Sequence, residues 1–115
     1  MKRVEQAIAH IAENVSGKSV LEVACGCAEF SLAAAPAAKS VDGIDLDYLR
    51  LPPQARKTEG FAFTIMDATN MTFADASFDT VVMYNAIGHL CAVLEKVLKE
   101  CLRVTKPGGV IFVIS

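Results

Sequence analysis

Apolar residues recur along the chain with two alternating periods. Val4, Ala7, Ile8, Ile11, Ala12 and Val15 fall at helical spacing and make one stripe, closed by Ser16-Gly17. Residues 19–24 then read as a short buried strand, with Cys25-Gly26-Cys27 as the turn after it. Residues 28–35 are rich in alanine and hold no breaker, which predicts a helix stopped by Pro36. Residues 41–45 form a second strand. Pro52-Pro53 fits only the start of a helix, so the spacing predicts a short one over 52–58. Residues 61–66 make the third strand. A polar stretch follows over 67–77, with Asp75-Ala76-Ser77 as a turn signal. Phe78–Tyr84 is the fourth strand. Leu90, Val93, Leu94, Val97, Leu98, Cys101 and Leu102 mark the next helix, and Glu95, Lys96, Lys99, Glu100 and Arg103 form its wet face. Pro107-Gly108-Gly109 predicts a tight turn into a fifth strand, residues 110–114.

Strands alternating with helices imply βαβ units and a parallel sheet. The strands are nearly all apolar, as a sheet covered on both faces requires. The expected fold is therefore α/β, a three-layer sandwich in one domain over residues 1–115, since 115 residues leave no room for two.

Composition narrows the function. The chain is 53% hydrophobic and 21% charged, enough to bury a core. Its net charge of −2 and lack of a basic patch give no support for a nucleic-acid partner. No apolar run is long enough to span a membrane, and the first residues do not read as a signal peptide. Cys25, Cys27, Cys91 and Cys101 lack the paired spacing of a zinc ribbon. No metal is expected; the cysteines read as reduced core or loop residues of a cytoplasmic protein.

The candidate chemistry lies at strand ends. Glu22, Asp45 and Asp67 recur at nearly even intervals, each holding one strand-turn-helix unit. In open α/β sheets ligands bind at the carboxyl ends of strands. Asp45 and Asp67 fall there, and Glu22 stands two residues short. Gly26 lies in the first turn, where the missing Cβ permits close approach. A dinucleotide fingerprint needs GxGxxG to cradle a pyrophosphate. Ala24-Cys25-Gly26-Cys27-Ala28-Glu29 lacks it and adds a negative charge, which argues against a nicotinamide dehydrogenase.

Four stretches carry a resemblance. Residues 20–28 (VLEVACGCA) resemble the first motif of class I S-adenosylmethionine-dependent methyltransferases, in their small-molecule, type 11-like branch. Residues 41–47 resemble its second motif. Met66-Asp67-Ala68 with Phe73, followed by residues 77–82, resemble its third region. Residues 98–109 resemble the stretch leading into strand five. The similarity runs in order from Ser19 to Ser115. Alanines stand at 24 and 28, where the family's first loop usually has glycines.

The resemblance implies a Rossmann-like fold with a mostly parallel five-stranded sheet in the order 3-2-1-4-5, lacking the last two strands of typical members. It implies S-adenosylmethionine as cofactor and methyl transfer to an unidentified acceptor, expected to be a small molecule. Glu22, Ala24, Cys25, Gly26, Asp45, Leu46, Asp67, Ala68, Tyr84 and Asn85 are the implied cofactor-binding residues. Asp45 would accept both ribose hydroxyls, and Asp67 the adenine amine with the Ala68 amide on the ring. Glu22 would position the methionine amine or a nearby loop, and amides at the start of the following helix would receive the carboxylate. Tyr84 and Asn85 would face the methionine part. Each acid also has a plain reading as a capping or turn residue. His89 reads as a helix-start histidine rather than a general base, having no evident partner. Cys25 and Cys27 read as loop packing rather than thiol chemistry. A strand five without a neighbour would be an apolar edge, which predicts self-association there or a second chain that completes a non-catalytic binding fragment.

Overall fold

Five parallel strands lie in the order β3-β2-β1-β4-β5 in the computed structural model, which describes residues 2–115. They are β1 (Ser19–Val23), β2 (Ser40–Asp45), β3 (Phe61–Ile65), β4 (Phe78–Tyr84) and β5 (Thr105–Ile114). The helices are α1 (Arg3–His10), α2 (Glu29–Ala34), α3 (Ile87–Leu90) and α4 (Leu94–Val104).

Alternation along the strands builds two cores. Val20 of β1 and Val41 of β2 point to one face, where Val4 of α1, Phe30 and Ala34 of α2, and Val15 cover them. Leu21, Val23, Ile44, Val81 and Met83 point to the other, under Val97, Cys101 and Val104 of α4. The result is the expected three-layer sandwich. Helices that bury an apolar stripe on a sheet need no strong intrinsic propensity, and α2 folds with six residues.

Register aligns the site. Val23 stands opposite Ile44, and Asp45 opposite Ile65. The ends of β1, β2 and β3 therefore share one edge, with Ala24, Asp45 and Asp67 at or just past the tips.

Several boundaries differ from the sequence reading. α1 ends at His10, and a 3-10 turn, Ala12–Asn14, carries the rest of its stripe. Helix ends often tighten this way, and Ile11 and Val15 stay buried. β1 stops at Val23 because Ala24 takes a left-handed conformation, φ 56°. α2 starts at Glu29 because Ala28 is its left-handed N-cap, φ 59°. The segment after Pro52 is a 3-10 turn, Pro53–Lys57. β3 ends at Ile65. The helix expected from Leu90 is split into α3, the 3-10 turn Cys91–Val93 and α4. β5 begins already at Thr105, and Pro107-Gly108-Gly109 forms a bulge inside it: Phe78 pairs with Thr105 and Thr80 with Val110. The edge strand β3 is only half covered, with Ile65 56% exposed, so full burial of every strand is not realised.

Candidate functional site

The carboxyl ends of β1, β2 and β3, the loops beyond them and the α3–α4 segment after β4 line a cavity of about 280 Å³. Asp45, Leu46, Asp67 and Ala68 line it, with Ala24 at the first turn. Ile44, Leu90 and Val97 supply apolar wall. A small apolar cleft with a few convergent polar groups is the usual form of a small-molecule site.

Asp45 ties two loops together. Its Oδ2 accepts the Gly26 N–H at 2.8 Å, and its Oδ1 accepts the Leu46 N–H at 2.8 Å. The first turn is thereby fixed against the tip of β2. A carboxylate has about four lone-pair positions, so both oxygens retain accepting capacity toward the cavity. Leu46, 71% exposed, offers an apolar surface beside it.

Asp67 is organised locally. Its Oδ1 accepts the Thr69 N–H at 2.8 Å and the Thr69 hydroxyl at 2.7 Å. These two hydrogen bonds hold its carboxyl below the usual aspartate range. The loop behind it is anchored to α4. Arg103 donates to the carbonyls of Met71 and Phe73 at 2.9 and 2.8 Å, and Glu100 accepts the Met71 N–H at 2.7 Å.

Glu22 lies elsewhere. It is 1% exposed, and its Oε1 accepts the Ser31 N–H at 3.0 Å and the Ser31 hydroxyl at 2.6 Å. It thus fastens α2 under β1 and does not line the cavity. Burial raises its carboxyl to about 7, against the lowering effect of Ser31, with Asp45 and Glu29 adding to the rise. Burial, helped by Glu22 and Asp45, likewise pushes the Cys25 thiol far above its ordinary value, so it is a protonated packing residue at neutral pH.

The remaining expected residues divide. Gly26 does not line the cavity but touches two residues that do, Asp45 and Arg50. Tyr84 packs its ring on Phe30, centroids 5.8 Å apart, in the core under α1 and α2. It turns away from the cavity because alternation along β4 gives Met83 that face. Asn85 is exposed and left-handed, φ 53°, with its N–H on the Ile114 carbonyl. His89, in the short helix α3, also lines the cavity. Sequence reasoning singles out neither Asp47, Arg50 nor Thr69, which line it too. Their signal is position alone: they lie in the loops that follow strand-tip acids.

Known proteins share this fold and sequence pattern. A family model described as a methyltransferase domain matches residues 21–113. The demethylmenaquinone methyltransferase of Renibacterium salmoninarum is 38% identical over 95 residues, covering 83% of this chain and 40% of that protein. The phthiotriol/phenolphthiotriol dimycocerosates methyltransferase of Mycobacterium leprae is 35% identical over 102 residues, covering 84% and 37%. The crystal structure of the YcgJ protein from Bacillus subtilis superposes with a TM-score of 0.84 at 23% identity, over 96% of this chain and 49% of that one. This last likeness speaks to the fold. The chain spans about two fifths of the length of the relatives it matches.

Proposed function

Because the chain belongs to the methyltransferase-domain family, a class I S-adenosylmethionine-dependent one, we propose that its cavity binds S-adenosylmethionine for methyl transfer to a small organic acceptor. The observation that carries this is the meeting of Asp45 and Asp67, from neighbouring strand tips, on one cavity that begins at the Ala24 turn.

The donor set fits the cofactor. A ribose presents two hydroxyl donors, and Asp45 holds accepting oxygens beside the first turn. An adenine presents an amine, and Asp67 carries an Oδ2 without a protein partner among the described residues. Leu46, Leu90 and Val97 give a flat ring apolar contact. When bound, S-adenosylmethionine supplies an electrophilic methyl on a sulfonium, and the acceptor takes that methyl as the sulfur–carbon bond breaks. The chain's own contribution is orientation, which alone supplies a large share of such a rate. His89 also stands in the cavity wall.

The names of the relatives, a demethylmenaquinone methyltransferase and a dimycocerosates methyltransferase, support a small-molecule acceptor. Their greater length favours a second reading, in which this stretch binds cofactor and further residues or a second chain complete catalysis.

Calorimetric titration with S-adenosylhomocysteine tests the binding. The expected result is saturable heat, weakened about tenfold or more in Asp45→Asn, because a charge-assisted bond becomes a neutral one. Absence of heat and of any thermal shift at millimolar ligand removes the proposal.

A further inference from the structure

The structure assigns to Arg50 a role that rests on the cofactor reading: we propose that its guanidinium anchors the carboxylate of the cofactor's amino-acid end. Several backbone donors in and after the first turn are already spent. The Cys25 N–H goes to the Ile44 carbonyl at 2.9 Å, and the Gly26 N–H to Asp45 at 2.8 Å. The Ala28 N–H goes to the Cys25 carbonyl at 2.7 Å, and the Ser31 N–H to Glu22 at 3.0 Å. The helix that follows has six residues and opens with Glu29, whose charge repels an anion. A carboxylate arriving at this turn finds the N–H groups of Cys27, Glu29 and Phe30, but no cation among them.

The surroundings are acidic as well. Asp45, Asp47 and Asp67 all line the cavity, which suits a sulfonium and an ammonium but not a carboxylate. Arg50 is the one lysine or arginine that lines it, among the described residues. The Asp47 carboxylate shapes the turn that presents it, accepting the Leu49 N–H at 2.9 Å. The guanidinium lies over Gly26: a methyl group added to that glycine would stand 2.9 Å from Nη1 and 3.0 Å from Cζ. Arg50 takes part in no ion pair among the described residues. Its planar set of donors therefore lies over the turn and is left unspent, in the form that recognises a carboxylate through two parallel bonds.

The test compares two ligands on two proteins by calorimetry. S-adenosylhomocysteine carries the carboxylate; its decarboxylated analogue keeps the adenosine, the thioether and the amine. Arg50→Ala is expected to bind S-adenosylhomocysteine about tenfold or more weakly and the analogue within about twofold of the wild type, with Arg50→Lys between. An unchanged melting temperature is expected, because Arg50 is exposed. Equal weakening of both ligands, no weakening of either, or tighter binding by Arg50→Ala would each overturn the anchor while leaving the cofactor reading intact. Failure of the wild type to bind either ligand would overturn the cofactor reading itself, and the anchor with it.

Discussion

Glu22 sets a pH dependence that its neighbours do not share. Its carboxyl titrates at about 7 in the fold against 4.5 for the free group. Between those values the native chain holds a proton that the unfolded chain has released. The contribution of Glu22 to stability is therefore fullest at low pH and falls as pH rises to about 7, by about 3 kcal/mol in all. Asp79 acts in a separate, more acid window. Hydrogen bonds from Ser19 hold its carboxyl at about 2, so its stabilisation is present above 3.8 and lost as pH falls toward 2. Glu22→Gln keeps an acceptor for Ser31 and cannot ionise. We expect it to unfold about 3 kcal/mol harder than the wild type at about pH 8 and nearly equally at about pH 4, in urea titrations. Parallel pH profiles for the two proteins would refute this. Asp45 and Asp67 were legible from the chain because an acid after an apolar strand marks a tip. The true place of Glu22 was not, because Ser31 lies on the next element and only packing brings the two together. The same holds for Ala24 and Ala28, whose left-handed backbones surround Gly26 at φ 54°. Sequence shows alanine there, and alanine favours a helix.

At the scale of elements, periodicity located every strand, and its errors fall where local chemistry competes with it. Leu90, Val93, Leu94 and Val97 fit one helix by spacing. The backbone nevertheless tightens to a 3-10 turn at Cys91–Val93, and Leu90 of α3 and Val97 of α4 join the same core. The Pro107-Gly108-Gly109 signal was read as a turn and is a bulge within β5, because Thr105 already pairs with Phe78. Bulges of this kind add residues to one strand and bend it. Gly109 is the residue that makes this one possible: a Cβ there would lie 2.7 Å from the Asp79 carbonyl oxygen and 2.9 Å from that of Lys106. Both neighbours are backbone and cannot swing aside. Gly109→Ala is expected to lower unfolding stability by about 1–3 kcal/mol, as overpacking does. Gly88 in α3 has nothing within 4 Å of the same position, so Gly88→Ala is expected to be neutral or to stabilise by up to about 1 kcal/mol. A Gly109→Ala protein as stable as Gly88→Ala would show that β5 does not depend on the bulge.

At the scale of the whole molecule, alternating strands and helices predicted the parallel sheet, and the family resemblance implied its strand order; right-handed βαβ units alone set the hand of each crossover and not which strand lies beside which. What the pattern left open is how the two outer strands are finished. β3 lies beside the Pro53–Lys57 turn, which packs against it. β5 stands at the other end of the sheet with β4 as its one strand partner among the described residues. Its last five residues are Val110-Ile111-Phe112-Val113-Ile114, apolar and without proline, and Val113 is 48% exposed. Unpaired donors and acceptors along such a strand are a template for a further strand. We expect the 115-residue chain to associate reversibly with rising concentration in sedimentation velocity. A charge beside the edge should oppose that pairing, so Val113→Lys is expected to shift the chain toward monomer, while Ile65→Lys on β3 leaves association unchanged. A monomer at every concentration, or dissociation by Ile65→Lys instead, would show that β5 is not the joining edge. The distinction bears on the site, because β4 lies between β5 and the strand β1 that supplies the first turn. A partner strand added at β5 would extend the sheet without covering the cavity at β1, β2 and β3, so association and cofactor binding should be independent in the same titration.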